Sequence, residues 1–596
     1  MCGIIGIVDP YKKIKYDIAE LNHMQIHRGP DESGVFENRS LGLSMAMTRL
    51  SIINVNEAHQ PFISKDGYVV IFNGEIFNYQ SLFKDIEGYH SFASGGSEVE
   101  VIYFLYKKYG ESFLNRLNGM FSISIYDPKK NLIFIARDRF GIKPLHYYNK
   151  GSIFCFSSEI RPLKKSLNKD ISIDSHSVAN YFRLGYVPNP SSVYSEIKQL
   201  PPGSFIKYSL SDKKIEVTKW WNYSYKINYE LSQSEWYENI KNQLSKSLSQ
   251  WTTSDVPIAF ALSGGLDSSA LVALASINSK ARIKTYSLGF EGKGEDSWNE
   301  LAIARDVSKK YNTDHTEIIL KPESLADSIE NMALHLEQPY AGGLPSWPLF
   351  KEMAKDYKVA IGGLGGDEIF GNYNRGNYFS HFQNVQSSKD LNKSLFKESI
   401  QNAFFLMKEK DANQILKNNE SGIVNNFYNL FNSYKHKHVD DRVAQLSIDS
   451  QLVDEFLMMT DRFSMANSLE VRTPYLDHEL VNLLFSMPIE YRLDSNLYKM
   501  ALRKSIGHLL PQSVLSAKKN GFKIEFFNSI VLFYQKNNKK YLILFLLPIL
   551  LSNIIWFLNA PAYRFGVFYN LSLFLLVLIP IWEKLFKTSL STTIKS

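Results

Sequence analysis

The sequence predicts an α+β domain, then an α/β domain with a parallel sheet, and finally a hairpin of two transmembrane helices. Residues 1–210 contain short strands, rich in β-branched and aromatic residues, that are separated by turns. Residues 235–528 alternate apolar strands with longer helical segments, a pattern that indicates a parallel sheet. Two apolar runs follow within residues 536–587. We therefore expect two globular domains and a membrane-inserted tail.

Length and composition support a globular protein with more than one core. The chain has 596 residues, 44% of them hydrophobic, and is too long for a single hydrophobic core. Its two cysteines, Cys2 and Cys155, cannot form a disulfide framework, and no apolar secretory signal opens the sequence. We therefore expect both large domains to lie in the reducing cytoplasm.

The net charge of +7 is concentrated near the C-terminal end. From Lys536 onward, seven Lys and Arg residues stand against one acidic residue, Glu583, so the rest of the chain is nearly neutral. This distribution is typical of residues that flank membrane segments. It disfavours a nucleic-acid-binding protein, which needs a clustered basic face.

The strands of the first domain are predicted by four stretches in which β-formers alternate and turn residues intervene. These stretches are "IVDP", "KDGYVVIFNGE", "MFSISIYDPKKNLIFIARD" and "GSIFCFSSEI". The hydrophilic stretch "KINYELSQSE" then separates the domains. Strands of the second domain are predicted at "VPIAFALSGG", "KTYSLGF" and "VAIGGLGG".

The two apolar runs at residues 541–558 and 565–582 each contain 18 uncharged residues. As helices they would measure about 27 Å, against a hydrocarbon core of about 30 Å. Lysines before the first run and after the second predict that both ends lie in the cytoplasm, so the catalytic domains would be anchored to the inner face of the cytoplasmic membrane. The alternative is a buried core hairpin, which Pro548, Pro580 and the polar pair at 552–553 favour.

Cys2 directly follows the initiator methionine. Once Met1 is removed, one residue carries a thiol nucleophile and an α-amino group whose usual pKa of about 7.7 to 8.0 lets it act as a base. The alternative is a small buried strand residue, and that is how we interpret Cys155 within "IFCFSS".

Motifs after Cys2 favour the catalytic interpretation. In order they are "MCGI", "HRGPDESG", "RLSI", "HQPF", "FNGEIFNY", "LNGMFSISIYD", "ARDRFGIKPLHYY" and "FSSEI". Together they resemble the glutaminase domain of class II glutamine amidotransferases, which are N-terminal nucleophile (Ntn) hydrolases. The resemblance spans nearly all of the first 200 residues and implies a sandwich of β-sheets with helices.

The resemblance also implies roles for individual residues. Cys2 would attack the side-chain amide of glutamine, and Arg49 would pair with the α-carboxylate. Asn73 and the backbone N–H of Gly74 would form the oxyanion hole, with Glu75 near the substrate amine. Preorganised donors suit a tetrahedral oxyanion, and an arginine fork suits a carboxylate.

Two departures from the family pattern lie in this domain. Glu98, in "SEVE", stands where the family usually has an Asp that holds the amino group of glutamine, and is one methylene longer. Met47 and Thr48 replace two polar residues that precede Arg49. We therefore expect Glu98 to bind glutamine with altered affinity.

The stretch "FALSGGLDSSA" places a glycine-rich turn between an apolar strand and a helix, where backbone N–H groups can hold phosphate. It lacks the Walker lysine and resembles the "SGGxDS" loop of ATP pyrophosphatases. That resemblance implies ATP as substrate, with Asp267 as a ligand of Mg²⁺ and with Leu262 and Leu288 as nucleotide contacts. The implied pyrophosphate contacts are Ser263, Gly264, Gly265, Ser268 and Ser269.

A second glycine-rich loop, "GGLGGDEIFGNYNR", also follows an apolar strand. Its Gly362 and Gly363 are candidate ATP contacts, and Asp367 is the natural second carboxylate for Mg²⁺. The alternative for one such loop is an exposed turn. Two of them fit convergence at the carboxyl ends of parallel strands.

The later motifs "DRFSMANSLEVRTPYLDHELV", "YKMALRKSI" and "LPQSVLSAKKNGF" resemble the synthetase domain of asparagine synthetases. The resemblance implies that Lys499 stabilises charge on the transferred phosphate or on the tetrahedral adduct, whereas Arg472 and Asp477 organise the fold. The combined resemblance covers about residues 1–525 and identifies the chain as a member of the glutamine-hydrolysing asparagine synthetase family.

The implied reaction has two halves. An acceptor carboxylate, expected to be aspartate, attacks the α-phosphorus of MgATP to give an acyl-adenylate and pyrophosphate. Ammonia released at Cys2 then attacks the acyl carbon. Since protonated ammonia is not a nucleophile, we expect an apolar passage between the sites. The resemblance also allows a homodimer.

The acceptor is less firmly indicated than the reaction. Glu337 and Gln338 replace an acidic pair in "LEQPYAGGLPSWP", and Leu364 occupies a loop position that is acidic in some members. One alternative is therefore amidation of a sugar uronate in surface-polysaccharide synthesis. A membrane-tethered pseudoenzyme is another alternative, and the presence of Cys2 together with both ATP loops disfavours it.

Overall fold

The computed structural model describes residues 2–87, 97–224, 226–291, 300–343, 345–371, 393–416, 422–436, 438–494 and 497–517. Within these ranges no helix is long and apolar enough to cross a membrane. The apolar runs at 541–558 and 565–582, where the sequence predicts a transmembrane hairpin, lie outside the described residues.

In the described residues, twelve strands of the first domain form two six-stranded sheets. Five strands of the second domain form a third sheet. The strands of the first domain are β1 (Cys2–Val8), β2 (Glu32–Asn38), β3 (Leu43–Arg49), β4 (Phe62–Ile63), β5 (Val69–Ile76), β6 (Gly119–Asp127), β7 (Leu132–Arg137), β8 (His146–Lys150), β9 (Ile153–Ser157), β10 (Ile197–Gln199), β11 (Ser204–Ser209) and β12 (Ile215–Lys219). Those of the second domain are β13 (Ile258–Ala261), β14 (Lys284–Phe290), β15 (Asp314–Leu320), β16 (Val359–Ile361) and β17 (Glu470–Arg472).

The helices of the first domain are α1 (Ile18–His23), α2 (Tyr79–Glu87), α3 (Glu98–Tyr109), α4 (Ile160–Ser166) and α5 (Ser175–Leu184). Those of the second domain are α6 (Gln233–Trp251), α7 (Leu266–Asn278), α8 (Leu301–Tyr311), α9 (Pro322–Leu336), α10 (Ser346–Met353), α11 (Gly366–Phe370), α12 (Lys393–Phe404), α13 (Glu409–Ile415), α14 (Ile423–Ser433), α15 (Val439–Ser447), α16 (Met458–Met465), α17 (His478–Ser486), α18 (Ile489–Arg492), α19 (Met500–Ile506) and α20 (Gln512–Ser516). Short 3₁₀ turns lie at Ile26–Arg28, Gly110–Arg116, Pro474–Leu476 and Gly507–Leu509, and a π-helical segment at Ile448–Leu457 precedes α16.

The first domain is an antiparallel sandwich, as the strand-rich sequence predicts. One sheet has the order β10-β8-β9-β1-β3-β2 and the other β12-β11-β7-β6-β5-β4. Side chains such as Ile4 and Met45 from the first sheet and Ile71 and Ile135 from the second form the core between them. Helices α1 and α4 cover one outer face, and α2 and α3 cover the other. This helix–sheet–sheet–helix arrangement places the first residues of β1 inside the sandwich.

The second domain contains the predicted parallel sheet, with strand order β15-β14-β13-β16-β17. Alternate residues of its strands face opposite cores: Ala259 and Ala360 belong to one, and Phe260 and Ile361 to the other. The domain opens with α6, whose first turn is closed by a capping box between Ser232 and Glu235. Helices on both faces leave the carboxyl edge of the strands to the two glycine-rich loops.

Candidate functional site

Cys2 begins β1 and lies opposite Arg49 of β3 in the strand register. Its side chain is buried, and its backbone N–H donates to Oδ1 of Asn73 over 3.0 Å. Burial raises the pKa of the Cys2 thiol, and the positive charge of Arg49 and a hydrogen bond from the Leu50 N–H oppose that rise. The nitrogen that becomes the terminal amine after loss of Met1 is therefore held beside Asn73.

Asn73 and Gly74 lie next to each other on β5, and Asn73 is bonded to Cys2. The Nδ2 of Asn73 is buried and has no hydrogen-bond partner among the residues that the structure describes. Gly74 has a φ of +148°, and a Cβ at this position would lie 2.0 Å from the carbonyl oxygen of Met120. The site thus combines an unused buried donor with a backbone position that requires glycine.

A cavity that is partly open to solvent lies beside Cys2, with about 350 Å³ of space between atoms when the open part is included. Its lining combines a cysteine, one cation and two carboxyl groups with apolar side chains, a composition that suits a small zwitterionic ligand. The lining residues are Cys2, Arg49, Leu50, Ile52, Ile53, Ala58, Gln60, Phe72, Gly74, Glu75, Glu98 and Val99.

Glu75 and Glu98 are both buried in this cavity. Burial, together with the charge of Glu470, raises the pKa of Glu75 to about 7. Burial, and then the charge of Glu75, raises the pKa of Glu98 well above its usual range. Glu98 Oε1 accepts the Ile76 N–H over 2.6 Å, so the longer side chain is anchored to the end of β5. A ligand with an ammonium group would favour ionisation of both carboxyl groups.

The Arg49 guanidinium lies at the cavity wall, but its terminal nitrogens are already engaged. Nη1 donates to Glu32 and to the Val55 carbonyl, over 3.1 and 3.2 Å. Nη2 donates to the carbonyl oxygens of Ile53 and Asn54, over 3.1 and 3.0 Å. These bonds fix the orientation of the fork, so a bound carboxylate would meet Nε or replace Glu32.

Met47 and Thr48, which precede Arg49 and depart from the family pattern, have structural roles. Met47 is fully buried in the core between the sheets. The Thr48 hydroxyl accepts the Gly3 N–H over 3.2 Å and donates to the Gln25 carbonyl over 3.2 Å, so it fixes β1 next to the nucleophile. Cys155 is also buried, on β9, where burial raises the pKa of its thiol to about 12. This location agrees with our interpretation of Cys155 as a core residue.

Arg472, on β17 of the second domain, reaches the cavity beside Cys2 through its contact with Glu75. Its Nη2 lies 3.5 Å from Glu75 Oε1, and its Nε pairs with Glu470. Nη1 donates to the carbonyl oxygens of Trp251 and Thr253, over 3.0 and 2.6 Å. The guanidinium is fully buried, so a single cation holds both domains together at this point.

Asp477 has the organising role that the sequence predicts for it. Its side chain caps α17 by accepting the N–H groups of Glu479 and Leu480, and it also accepts from Asn118 of the first domain over 2.9 Å.

The first glycine-rich loop joins β13 to α7. Ser263 and Ser268 share a hydrogen bond of 3.0 Å between their hydroxyl groups, and the Gly265 N–H donates to Ser263 Oγ over 3.2 Å. Gly264 has a φ of +85°, which its lack of a side chain permits. Leu262 is buried at the end of β13, and Leu288 lies half-buried on β14. Ser269 is fully buried, so it does not reach the surface of the loop in this conformation.

The two glycine-rich loops meet at Asp267. A Cβ on Gly366 would lie 2.7 Å from Asp267 Oδ1, and one on Gly363 would lie 3.3 Å from Asp267 Cβ. Gly362 continues from β16, and its N–H donates to the Arg472 carbonyl over 2.9 Å. Glycine at these positions lets the backbone of the second loop approach the carboxylate of the first.

Lys499 lies between the two predicted metal-binding carboxylates. Its Nζ is paired with Asp267 and lies 2.7 Å from Asp367 Oδ1, while the Tyr498 hydroxyl donates to Asp367 over 2.8 Å. Burial lowers the pKa of Lys499, but the two carboxylates outweigh it and raise the value above normal. Three residues that the sequence assigns to one site therefore lie together, although the chain separates them widely.

Arg28, Asp461 and Arg462, for which the sequence predicts no role, form a buried charge cluster between the domains with Glu159 and Glu337. The available signal was that Arg28 lies within "HRGPDESG" and that Asp461 and Arg462 are the first two residues of "DRFSMANSLEVRTPYLDHELV". Their pairing across 433 residues could not be read from either motif.

The fold and the two sites define a glutamine amidotransferase domain joined to an ATP-dependent synthetase domain. A family model described as a glutamine amidotransferase domain matches residues 1–221, and one described as asparagine synthase matches residues 239–539. The chain belongs to the asparagine synthase family, in its glutamine-hydrolysing form, and is thus an ATP-dependent ligase.

Relatives match along most of the chain. Two Bacillus subtilis proteins, asparagine synthetase [glutamine-hydrolyzing] 1 and 3, are each 28% identical over 88% of this chain and 87% of their own length. A Methanocaldococcus jannaschii relative is 33% identical over 63% of this chain and 76% of its own length. These matches include both domains and confirm the family to which the motifs pointed.

Proposed function

We propose that the chain converts aspartate to asparagine, with glutamine as the nitrogen donor and ATP as the activating substrate. One observation carries this proposal: a buried cysteine beside an unused amide donor, and two glycine-rich loops meeting at paired carboxylates, occur in one chain. The names of the Bacillus subtilis relatives agree with this reaction.

In the first half-reaction the Cys2 sulfur bonds to the side-chain carbonyl carbon of glutamine. The oxyanion accepts from Asn73 Nδ2 and the Gly74 N–H, and the amide nitrogen leaves as ammonia. Water then cleaves the thioester to give glutamate and the free thiol. The terminal amine of Cys2, freed by loss of Met1, takes the thiol proton at the start and returns a proton to the leaving nitrogen.

The cavity supports recognition of both charged groups of glutamine. Glu75 and Glu98 supply negative charge for the α-ammonium group, and Arg49 supplies positive charge for the α-carboxylate. Because Glu32 already occupies part of the Arg49 fork, the substrate carboxylate competes with it. Glu98 determines how deeply the ammonium group enters, since its carboxylate is fixed to the Ile76 N–H.

In the second half-reaction an oxygen of the acceptor carboxylate bonds to the α-phosphorus of ATP and pyrophosphate leaves. Ser263, Gly264, Gly265 and Ser268, with Gly362 and Gly363, would hold the phosphates. Asp267 and Asp367 provide the hard oxygen ligands that Mg²⁺ prefers, and the ion, when bound, would neutralise phosphate charge. Lys499 meets the negative charge that develops on the transferred phosphate.

Ammonia completes the reaction by bonding to the acyl carbon as AMP leaves. This step requires ammonia to pass from Cys2 to the second site without protonation, so the expected apolar passage between the domains is part of the proposal. The direct contact of Arg472 with Glu75 supports it, because it seats the synthetase domain against the glutaminase site.

The decisive experiment is an assay of the purified chain with glutamine, MgATP and aspartate. We expect asparagine, glutamate, AMP and pyrophosphate in equal amounts. A glutamine- and ATP-dependent reaction that forms no asparagine would exclude aspartate as the acceptor. Nucleotide-sugar uronates serve as the second set of acceptors, because Leu364 occupies a loop position that is acidic in some members of the family and Glu337 faces the domain interface.

A Cys2→Ala variant tests the division of labour between the sites. We expect it to lose glutamine-dependent synthesis but to retain synthesis from added ammonium, because the ATP site does not contain the thiol. The matched control is Cys155→Ala, which removes the other buried cysteine and should leave both activities within about twofold of the wild type. Loss of both activities in the Cys2 variant would mean that Cys2 is structural.

The apolar runs at 541–558 and 565–582 support a further part of the proposal, a membrane anchor at the inner face of the cytoplasmic membrane. Fractionation of cells that produce the full chain, and of cells that produce residues 1–535, tests it. We expect only the full chain to sediment with membranes and to resist extraction by alkaline carbonate.

A further inference from the structure

Arg28 connects the nucleophile to the other domain. It ends the 3₁₀ turn Ile26–Arg28 and is fully buried. Its Nη1 and Nη2 donate to the two carboxylate oxygens of Asp461, over 2.8 and 3.1 Å, and its Nε donates to the carbonyl oxygen of Cys2 over 3.2 Å. Asp461 lies in α16 of the synthetase domain. A single guanidinium thus spans the distance between that helix and the backbone of Cys2.

Three contacts fix the backbone of Cys2, and only the contact with Arg28 depends on a residue of the second domain. The Cys2 N–H is held by Asn73, and strand pairing sets Cys2 opposite Arg49, both within the glutaminase domain. The carbonyl oxygen is held by Arg28, whose fork takes its orientation from Asp461. A rotation of α16 would therefore shift the Cys2 carbonyl, and with it the direction of the thiol relative to Asn73.

Asp461 cannot move alone, because it belongs to a cluster of arginines and carboxylates at the interface, in which His27 also bonds to Glu159 over 2.8 Å. The cluster contains three arginines and three carboxylates, and every member except Arg161 has a side chain at most 4% exposed. Its members are Arg28, Arg161, Arg462, Glu159, Glu337 and Asp461. Displacing one member would leave a buried charge unpaired, which is strongly unfavourable.

The same cluster joins the end of α9 in the second domain to the start of α4 in the first. Glu337, at the end of α9, accepts from Arg462 over 2.7 Å and from the N–H groups of Ile160 and Arg161, which open α4, over 2.7 and 2.8 Å. Helix α16 packs on α9, α10 and β17. Since β17 pairs with β16, and β16 leads into the Gly362–Asp367 loop, a continuous series of packed elements joins the cluster to that loop.

We propose that Arg28 is a positioning residue for glutamine hydrolysis, and that Asp461 holds it so that Cys2 is aligned with Asn73 only when the two domains are correctly seated. This inference rests on the proposed role of Cys2 as the nucleophile. Arg28 acts through the Cys2 carbonyl and does not touch the substrate. The consequence is that the synthetase domain controls when the thiol can react.

The test measures glutamine hydrolysis and ammonium-dependent synthesis in an Asp461→Asn variant of the full chain. Asparagine keeps the shape of the side chain but replaces one acceptor oxygen with a donor that faces the Arg28 fork. We expect kcat for glutamine hydrolysis to fall about 10- to 100-fold, because small displacements of reacting groups have effects of this size. KM for glutamine should change less than about threefold, and ammonium-dependent synthesis should stay within about twofold.

Two further variants separate positioning from folding. Lys358→Met removes another ion pair between the domains, to Asp31 over 2.7 Å, which is partly exposed and does not contact Cys2; it should leave kcat for glutamine hydrolysis unchanged. Arg28→Lys keeps the positive charge but loses the fork, so it should reproduce the selective loss of kcat. If Asp461→Asn lacks ammonium-dependent activity, Arg28→Lys tests the proposal instead. The criterion is again a fall in kcat for glutamine hydrolysis with ammonium-dependent synthesis retained.

Wild-type kcat in Asp461→Asn would overturn the inference, as would a parallel loss of both activities in the Asp461 and Arg28 variants. An effect of Lys358→Met equal to that of Asp461→Asn would also overturn it. The Cys2→Ala variant distinguishes the two levels of the argument. If that variant still hydrolyses glutamine, the proposed function fails; if it does not, and Asp461→Asn hydrolyses glutamine normally, only the role of Arg28 fails.

Discussion

Asn73 uses the two ends of its side-chain amide differently. Oδ1 accepts the Cys2 N–H over 3.0 Å, whereas the buried Nδ2 has no partner in the described part of the chain. A buried donor without a partner is unfavourable for the free protein. In the proposed reaction that donor meets the oxyanion, so the free energy lost in the resting site is recovered as the transition state forms.

Replacing Asn73 with alanine removes this donor. We expect kcat for glutamine hydrolysis to fall about 10²- to 10³-fold, the usual effect of removing one oxyanion donor, with ammonium-dependent synthesis unchanged. Steady-state release of glutamate measures the first quantity. Asn38→Ala, at the half-buried end of β2 and outside the cavity lining, is the control and should retain full activity. Equal kcat for the Asn73 variant and the wild type would exclude the oxyanion role.

Asp454 offers a test of pH dependence. Its buried carboxyl accepts from the Asn189 N–H and side chain, but burial raises its pKa to about 7. Because the folded state retains a proton that the unfolded chain loses near pH 4, the resulting stability is complete below about pH 4 and is lost as the pH rises through 7.

An Asp454→Asn variant is neutral at every pH, so its stability relative to the wild type should rise between pH 5 and pH 8, by up to about 3 kcal/mol. Thermal unfolding at the two pH values measures the difference. Asp170→Asn, at an exposed position, should show no such change between them. A difference between Asp454→Asn and the wild type that is independent of pH would contradict the assignment.

At the residue scale, a role can be predicted from sequence where the chemistry is specific to one residue type. Cys2 could be assigned because only an N-terminal cysteine combines a thiol with its own amine, and Asn73 followed from the family motif. The partners of Arg49 could not be predicted, because three of them are carbonyl oxygens that any sequence would supply.

At the scale of elements, the second site depends on how closely two loops approach. The loop after β13 presents Asp267, and the loop after β16 passes it with glycines at 363 and 366. Apolar strands followed by glycine-rich turns predicted this convergence, because parallel strands place their carboxyl ends at one edge. The position of Lys499 came from the family resemblance alone, since α19 lies outside the sheet.

Gly366→Ala tests this contact. The added methyl group would lie 2.7 Å from Asp267 Oδ1, so one loop must move. We expect KM for ATP to rise about tenfold or more in glutamine- and ammonium-dependent synthesis alike, because Asp267 and the phosphate-binding backbone would shift together. Hydrolysis of glutamine should be unaffected. Gly363→Ala, whose methyl group would lie 3.3 Å from Asp267 Cβ, should have a smaller effect.

Gly507→Ala is the matched control for these substitutions. Gly507 lies in the same domain with a helical φ of −55°, and a methyl group there would make an ordinary contact of 3.5 Å with Leu515. We expect KM for ATP within about twofold of the wild type. A rise in KM for ATP equal to that of Gly366→Ala would show that loop contact is not the cause.

At the scale of the whole molecule, the two domains share buried charges. Arg472 of the second domain contacts Glu75 of the first and Glu470 of its own domain. Conversely, Arg28 of the first domain contacts Asp461 of the second. The pKa of Arg472 is raised because these carboxylates outweigh the effect of burial. No sequence pattern predicted these pairs, since each motif is complete within its own domain and the docking geometry alone joins them.

Arg472→Met should lower the thermal unfolding midpoint strongly. Removing one partner of a buried ion pair costs about 3–5 kcal/mol, because the remaining carboxylates stay buried without a counter-charge. The matched control is Arg305→Met, which removes an exposed arginine paired with Glu317 and should leave the midpoint nearly unchanged. Equal midpoints for the two variants would show that the Arg472 pairs are not needed for docking.

The charge cluster at the interface also restricts how this enzyme could be recombined with its relatives. A chimera that takes residues 1–221 from one parent and the rest from another combines the cluster residues of one protein with those of a different protein. It will assemble only where the incoming half supplies carboxylates for Arg28 and an arginine for Glu75. In chimeric proteins the two halves are therefore expected to function only as a compatible pair. Exchanging Arg28, Glu159 and Asp461 together is the rational route to new combinations of nitrogen donor and acceptor.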